Sequence, residues 1–275
     1  MPELPEVETI ARGVNERLRG DRIEEVWFSS YKEPFKTAPA KQADGLEGLV
    51  IQRVRRVGKH IVCDLGENVD GPSSGQWIVH LGMSGRLLVT TPEADVAPHT
   101  HARLTLASGR EMRFVDPRRF GRLEFRVLAK SGAFTGPGAE PLTITADEFA
   151  ALFRGRRLAI KAALLNQSLL HGVGNIYADE SLFRAGIRPK RMAGRLKREE
   201  LDRLRMALQQ VLHQAIEQGG SSVSDYVDAN GVRGFFQLEH RVYLRGGQPC
   251  LVCATPIRRI VVGGRSTHFC PVCQH

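Results

Sequence analysis

The first apolar positions of the chain recur at helical spacing. Val7, Ile10, Val14 and Leu18 form one stripe, opened by Pro5 in the first turn and closed at Gly20. The period then changes. Short alternating runs occupy 22–30, 49–65, 77–89, 101–107, 111–115 and 122–128; Ile61, Cys63 and Leu65 alternate with Val62 and Asp64, and Leu104 and Leu106 with Arg103 and Thr105. Turn residues separate these runs at short intervals, which predicts a β-sandwich or barrel, with a polar loop at 68–75. Residues 131–141 are rich in Gly and Pro and read as an interdomain linker. Beyond them the helical period returns. Thr145-Ala146-Asp147-Glu148 is a capping box for a short helix through Phe153. A longer amphipathic helix spans 197–218, with Leu201, Leu204, Leu208, Val211, Leu212 and Ala215 on one face and Gly219 at its end. Residues 219–234 are long, polar and glycine-rich, either a disordered spacer or a lid over a ligand.

Composition narrows the class. A chain of 275 residues is long enough to hold two domains with separate cores. Its formal net charge of +9 and pI near 9.7 point to a polyanionic partner, nucleic acid first, although excess arginine is also compatible with a solvated surface. No apolar run is long enough to span a bilayer, and the charged start lacks an apolar signal core, which argues against secretion. The Asn166-Gln167-Ser168 sequon is background without a secretory route.

The strongest local signal is Cys250-x2-Cys253, sixteen residues, then Cys270-x2-Cys273. That spacing fits a four-thiolate structural zinc site on two knuckles, closed to water; without an export signal, disulfides are the weaker alternative. Cys63 falls within a strand and reads as a buried core thiol. Between the knuckles, Gly263-Gly264 predicts a two-residue hairpin turn that presents Arg265 at its tip. Gly172 and Gly174 do not make a dinucleotide fingerprint, because Tyr177 takes the third glycine position and no strand precedes it. The segment reads instead as helix, glycine turn and a second helix capped by Asn175, whose free N–H groups suit phosphate, as in helix-turn-helix relatives.

One basic segment, two turns and one terminus add chemistry. Lys59 follows the basic segment 53–58 into a strand, where a solvated edge charge is the plain reading. Met83 lies between Gly82 and Gly85, as a core residue or a protruding one. Arg118 and Phe120 share the tight turn 116–121, suited to phosphate contact and wedging into a base stack, or merely a charged surface turn. Met1 before the small Pro2 is a pattern removed after synthesis, and the mature chain is expected to start with a secondary amine. An α-amine has a pKa of roughly 7.7–8.0, so much of it is nucleophilic at neutral pH and able to form a Schiff base, with Glu3 beside it as proton donor. A bare helix start is the alternative for these residues.

Together, 2–9, His80–Gly85, Asp116–Gly121, the Gly172–Tyr177 turn and the cysteine hairpin resemble the formamidopyrimidine-DNA glycosylase family. The resemblance implies an α+β fold: an N-terminal catalytic β-sandwich with a leading helix (1–130), the linker (131–141), a helix-two-turn-helix domain (142–240) and a C-terminal zinc-finger β-hairpin (241–275), with DNA in the cleft between the halves. It implies Pro2 as nucleophile, Glu3 as proton donor, Lys59 for β-elimination and Arg265 for δ-elimination. His99, Arg118, Arg157 and Asn175 would contact DNA, and Met83, Arg118 and Phe120 would fill the gap left by an extruded nucleotide. The expected partner is double-stranded DNA carrying oxidised bases, acted on by a cytoplasmic monomer with one structural Zn2+ and no membrane contact. The chain departs from the family pattern at Asn166, where an Asp is usual; altered local hydrogen bonding is expected there. Two rivals remain. An endonuclease VIII-type enzyme for oxidised pyrimidines is disfavoured by Leu4 and the 116–121 turn, and a non-catalytic zinc-finger regulator gives no role to a terminal Pro-Glu.

Overall fold

The computed structural model describes residues 1–222 and 227–275. It forms two compact units: Met1–Thr135 with Gly219–Gly234, and Gly136–Gln218 with Phe235–His275.

The first unit runs α1 (Leu4–Leu18), β1 (Ile23–Phe28), α2 (Pro39–Leu46), β2 (Val50–Val57), β3 (His60–Gly66), β4 (Gly75–His80), β5 (Arg86–Thr90), β6 (Thr100–Leu106), β7 (Glu111–Val115), β8 (Arg122–Val127) and a single turn, α3 (Leu128–Ser131). Two antiparallel four-stranded sheets, ordered β1-β6-β7-β5 and β2-β3-β4-β8, make the expected sandwich. Both sheets and the Val7–Ile10–Val14–Leu18 stripe of α1 feed one core that includes Trp77, Leu104 and Phe114. Cys63 is in that core, and burial raises its thiol pKa to about 12, the inert thiol the alternation predicts. Asn15 of α1 locks the helix to the sheet by accepting the Val54 N–H at 2.7 Å.

The run at 49–65 is two strands joined by a two-residue turn, Gly58-Lys59, with Gly58 at φ 60°. The run at 77–89 likewise breaks between β4 and β5. Helix α2 has no counterpart in the sequence reading, because it buries only Gln42 and Leu46 and so leaves no apolar stripe. Part of the 219–234 segment belongs to the core: Ala229 is buried there, and its carbonyl accepts the Val89 N–H at 3.0 Å. Residues 223–226 of the expected spacer or lid lie outside the described residues.

The second unit contains α4 (Ala146–Phe153), α5 (Ile160–Leu164), α6 (Asn175–Arg184), α7 (Arg198–Glu217), β9 (Arg258–Val262) and β10 (Arg265–Phe269). The Thr145–Glu148 capping box forms as its sequence requires. All six residues expected on the apolar face of α7 are buried. One detail differs: the N-cap of α6 is Gly174, and Asn175 is the first helical residue. Its amide reaches across to the hairpin instead of folding back on its own turn.

Candidate functional site

The chain start is held from two directions. Pro2 and Glu3 are buried, and α1 begins at Leu4. The Glu3 backbone N–H donates to Glu6 Oε2 at 2.8 Å, while Glu6 Oε1 accepts the Ser221 N–H at 2.7 Å. One turn further on, Glu8 pairs with the nearly buried Arg56 at 2.9 Å, three residues before Lys59. The first turns of α1 and the strand end that carries Lys59 are thereby linked.

Lys59 is half-buried in the β2–β3 turn. Next to it, the His60 and His80 rings lie 4.8 Å apart, and they line a cleft of about 260 Å³ with Lys36, Arg122, Glu124 and Phe134. His80 Nδ1 accepts the Gly82 N–H at 3.1 Å, which places the proton of the neutral ring on Nε2. Burial first, then the charges of His60, Lys59 and Arg122, lower its pKa from 6.5 to about 4. His80 is therefore a neutral donor among cations at physiological pH. In the sequence it is only the first residue of the Met83 turn; its pairing with His60 comes from the β3–β4 register, in which the two residues lie opposite each other.

Met83 and Phe120 protrude, 45% and 49% exposed, from neighbouring turns. The Arg118 guanidinium stacks over the Phe120 ring, 4.7 Å from its centroid. His99 is exposed and adopts a left-handed backbone (φ 65°), and its carbonyl accepts the Asp116 N–H at 3.0 Å. The core alternative for Met83 does not hold.

In the second unit, Asn175 Nδ2 donates to the Ser266 carbonyl at 2.9 Å, next to Arg265. Gly263 and Gly264 both have positive φ, as a two-residue hairpin turn demands, and Val262 pairs with Arg265 across it. Arg265 is exposed at this tip. Below it lies a fully buried ion pair, Lys161 Nζ to Asp179 Oδ1 at 2.7 Å. Lys161 also donates to Ser266 O and Thr267 Oγ1, and Asp179 Oδ2 accepts the His268 N–H. The pair fixes β10 on α5 and α6. Neither residue stood out in the sequence; a lysine inside the apolar run 159–165 was the one hint. Arg157 is exposed in the loop between α4 and α5.

The four sulfurs of Cys250, Cys253, Cys270 and Cys273 lie within 4.8 Å of one another, with Cys253–Cys270 at 3.4 Å and Cys250–Cys273 at 3.9 Å. A tetrahedral ion with Zn–S bonds of about 2.3 Å separates its sulfurs by about 3.8 Å, so the set fits zinc. All four cysteines are free of disulfides. Val242, Ile257 and Phe183 pack around the site. Glu180 of α6 accepts the N–H groups of Arg241, Val242 and Tyr243, which anchors the entry to this module.

A helix-led β-sandwich, a glycine-turn helix pair and a four-thiolate hairpin in one basic chain define a zinc-finger DNA-binding class. Comparison with known proteins gives the family. Residues 1–123 match the formamidopyrimidine-DNA glycosylase N-terminal domain, 136–227 the formamidopyrimidine-DNA glycosylase H2TH domain, and 247–275 the zinc finger found in FPG and IleRS. The chain is 46% identical to a formamidopyrimidine-DNA glycosylase of Solibacter usitatus, covering 100% of this chain and 99% of that one. It is 45% identical to one of Desulfitobacterium hafniense over the full length of both. Among solved structures, a Lactococcus lactis FPG mutant in complex with Fapy-dG-containing DNA superposes with a TM-score of 0.89 at 32% identity, covering all of both chains. The wild-type Lactococcus lactis protein with oxidised-pyrimidine DNA gives 0.87 at 33% identity, again over both whole chains. This chain belongs to the formamidopyrimidine-DNA glycosylase family, and its four cysteines hold one structural zinc. No helix among the described residues is long and apolar enough to cross a membrane.

Proposed function

We propose that the chain is a bifunctional DNA glycosylase and abasic-site lyase of base excision repair, acting on oxidised purines such as 8-oxoguanine and formamidopyrimidines in duplex DNA. The observation that carries this reading is the end-to-end likeness to formamidopyrimidine-DNA glycosylases, joined to a Pro-Glu start whose backbone is held by Glu6. The extruded nucleotide would leave the stack, and the Pro2 nitrogen would attack sugar C1′ as the C1′–N bond breaks and the departing base takes up the amine proton; Glu3 would then protonate O4′ as the C1′–O4′ bond opens. The resulting iminium acidifies the C2′ hydrogen. Its loss expels the 3′ phosphate, and a second elimination expels the 5′ phosphate. The positive end of α1 favours the neutral amine.

Lys59 would serve the first elimination and Arg265 the second, each also binding phosphate. His99, Arg118, Arg157 and Asn175 would grip the duplex, and Met83, Arg118 and Phe120 would occupy the vacated space. The zinc stiffens the hairpin under Arg265 and takes no part in bond breaking. The four-part division at 130, 141 and 240 is proposed to correspond to these roles. DNA as substrate and bacterial relatives favour a cytoplasmic, nucleoid-associated monomer. Borohydride trapping on a duplex bearing 8-oxoguanine tests the reading: a covalent adduct supports it, and no adduct with oxidised purine or pyrimidine favours a binding-only regulator. The Lactococcus lactis complex with oxidised-pyrimidine DNA gives reason to include a pyrimidine lesion; a preference for it would move the chain to the endonuclease VIII type.

A further inference from the structure

Asp116 is completely buried, and both of its side-chain oxygens accept hydrogen bonds from the two turns. Its Oδ1 accepts the Ser84 hydroxyl at 2.6 Å, and its Oδ2 accepts the Gly121 N–H at 2.7 Å. Its carbonyl accepts the Arg119 N–H at 3.2 Å and His101 Nε2–H at 3.1 Å. Ser84 completes the link, since its oxygen also accepts the Arg118 N–H at 3.3 Å. The Asp116 carboxylate therefore joins the two ends of the 116–121 turn, and the Ser84 hydroxyl ties that carboxylate and the Arg118 backbone to the Met83 turn.

The backbones themselves meet with no room to spare. Gly82 has φ 62°, and a Cβ there would lie 2.4 Å from the Phe120 carbonyl carbon and 2.6 Å from the Gly121 nitrogen. The turn 81–85 is closed by the Gly85 N–H on the Leu81 carbonyl at 2.8 Å. The Ser84 hydroxyl and the Asp116 carboxylate are buried, while Met83, Arg118 and Phe120 are exposed.

We propose that Ser84 and Asp116 are positioning residues that lock the two turns into one rigid wedge, so that Met83, Arg118 and Phe120 enter the base stack together. The proposal rests on the wedge reading of those three side chains. A buried charged acceptor holds the turns at fixed separation, because breaking the Ser84 bond leaves carboxylate lone pairs without water. Rigid turns avoid the ordering cost that three independent side chains would meet at the moment of insertion. Ser84 and Asp116 thus act on taking the base out of the duplex and not on the bond-breaking steps.

The test compares Ser84→Ala, Ser84→Thr and Phe120→Ala in the full zinc-loaded protein, each checked for fold by circular dichroism. Three quantities are read: fluorescence of 2-aminopurine placed beside 8-oxoguanine, single-turnover excision of that lesion, and strand cleavage at a preformed abasic site, which has no base to extrude. Loss of one charge-assisted hydrogen bond predicts about tenfold slower stacking change and excision in Ser84→Ala. Abasic cleavage should stay within about twofold, and Ser84→Thr, which keeps the hydroxyl, should restore excision. If Phe120→Ala slows excision but Ser84→Ala does not, the lock is refuted. Equal slowing of excision and abasic cleavage by Ser84→Ala also refutes it. If Phe120→Ala has no effect on the fluorescence change, the wedge reading falls and takes the lock with it.

Discussion

The Glu6 carboxylate accepts the backbone N–H of Ser221, 215 positions away, at 2.7 Å. Its other oxygen takes the N–H of Glu3, so one side chain joins the segment bearing the proposed nucleophile to the glycine-rich stretch that follows α7. A carboxylate that satisfies two buried donors is expensive to remove. Glu6→Ala should lower stability by about 2–6 kcal/mol, at about 1–3 kcal/mol for each of the two stranded N–H groups, and Glu6→Gln by less, since one acceptor survives. Urea denaturation measures both. The same variants should slow borohydride trapping in the order Gln before Ala.

The buried Lys161–Asp179 pair gives a prediction of another kind. Asp179→Ala would leave a lysine charge in a dry site and should cost about 3–5 kcal/mol. Replacing both partners, Lys161→Met with Asp179→Leu, should recover much of that loss. A double-mutant cycle by urea denaturation, with Lys161→Met and Asp179→Leu each alone and together, decides it; additive losses would mean that the two residues act separately. Because the pair seats β10, Asp179→Ala should also raise the share of β-elimination product over δ-elimination product on a denaturing gel.

Much of the fold was legible because it is local. The α1 stripe, the strand alternation, the Thr145–Glu148 box and the cysteine spacing each express one period or one coordination geometry. Helix α2 was not legible, since two buried residues make no stripe. Asn175 looked like a cap because it begins a helix, yet its partner Ser266 lies 91 positions away and no local pattern announces it. The same holds for Glu6, His80, Lys161 and Asp116. Each reads as a first-turn acid, a strand end, a surface base or a turn starter until tertiary contacts give it a second partner.

Acid should weaken the fold through histidine. His80 and His240 are both lowered by burial, from 6.5 to about 4. The folded chain keeps these rings neutral while the unfolded chain takes up protons, so their stabilising contribution is complete above about pH 6.5 and is lost as pH falls towards 4. The urea midpoint should drop across that window, and His80→Gln should flatten the drop. An unchanged pH profile in the variant would show that His80 titrates normally.

Zinc removal should act on binding. Elemental analysis should find one zinc per chain, and Cys270→Ser should lose it. Duplex affinity should then weaken, because the hairpin under Arg265 is no longer braced. Fluorescence anisotropy of a labelled duplex measures this, and equal affinity with and without zinc would separate the metal from DNA binding.

The central claim concerns the chain start. The most direct measurement is borohydride trapping on an 8-oxoguanine duplex followed by mass spectrometry of the digested adduct. The account predicts a peptide that begins at Pro2 with the sugar remnant on its terminal nitrogen, and no such adduct at Lys59. Attachment at Lys59, or at any other amine while Pro2 stays unmodified, would contradict it.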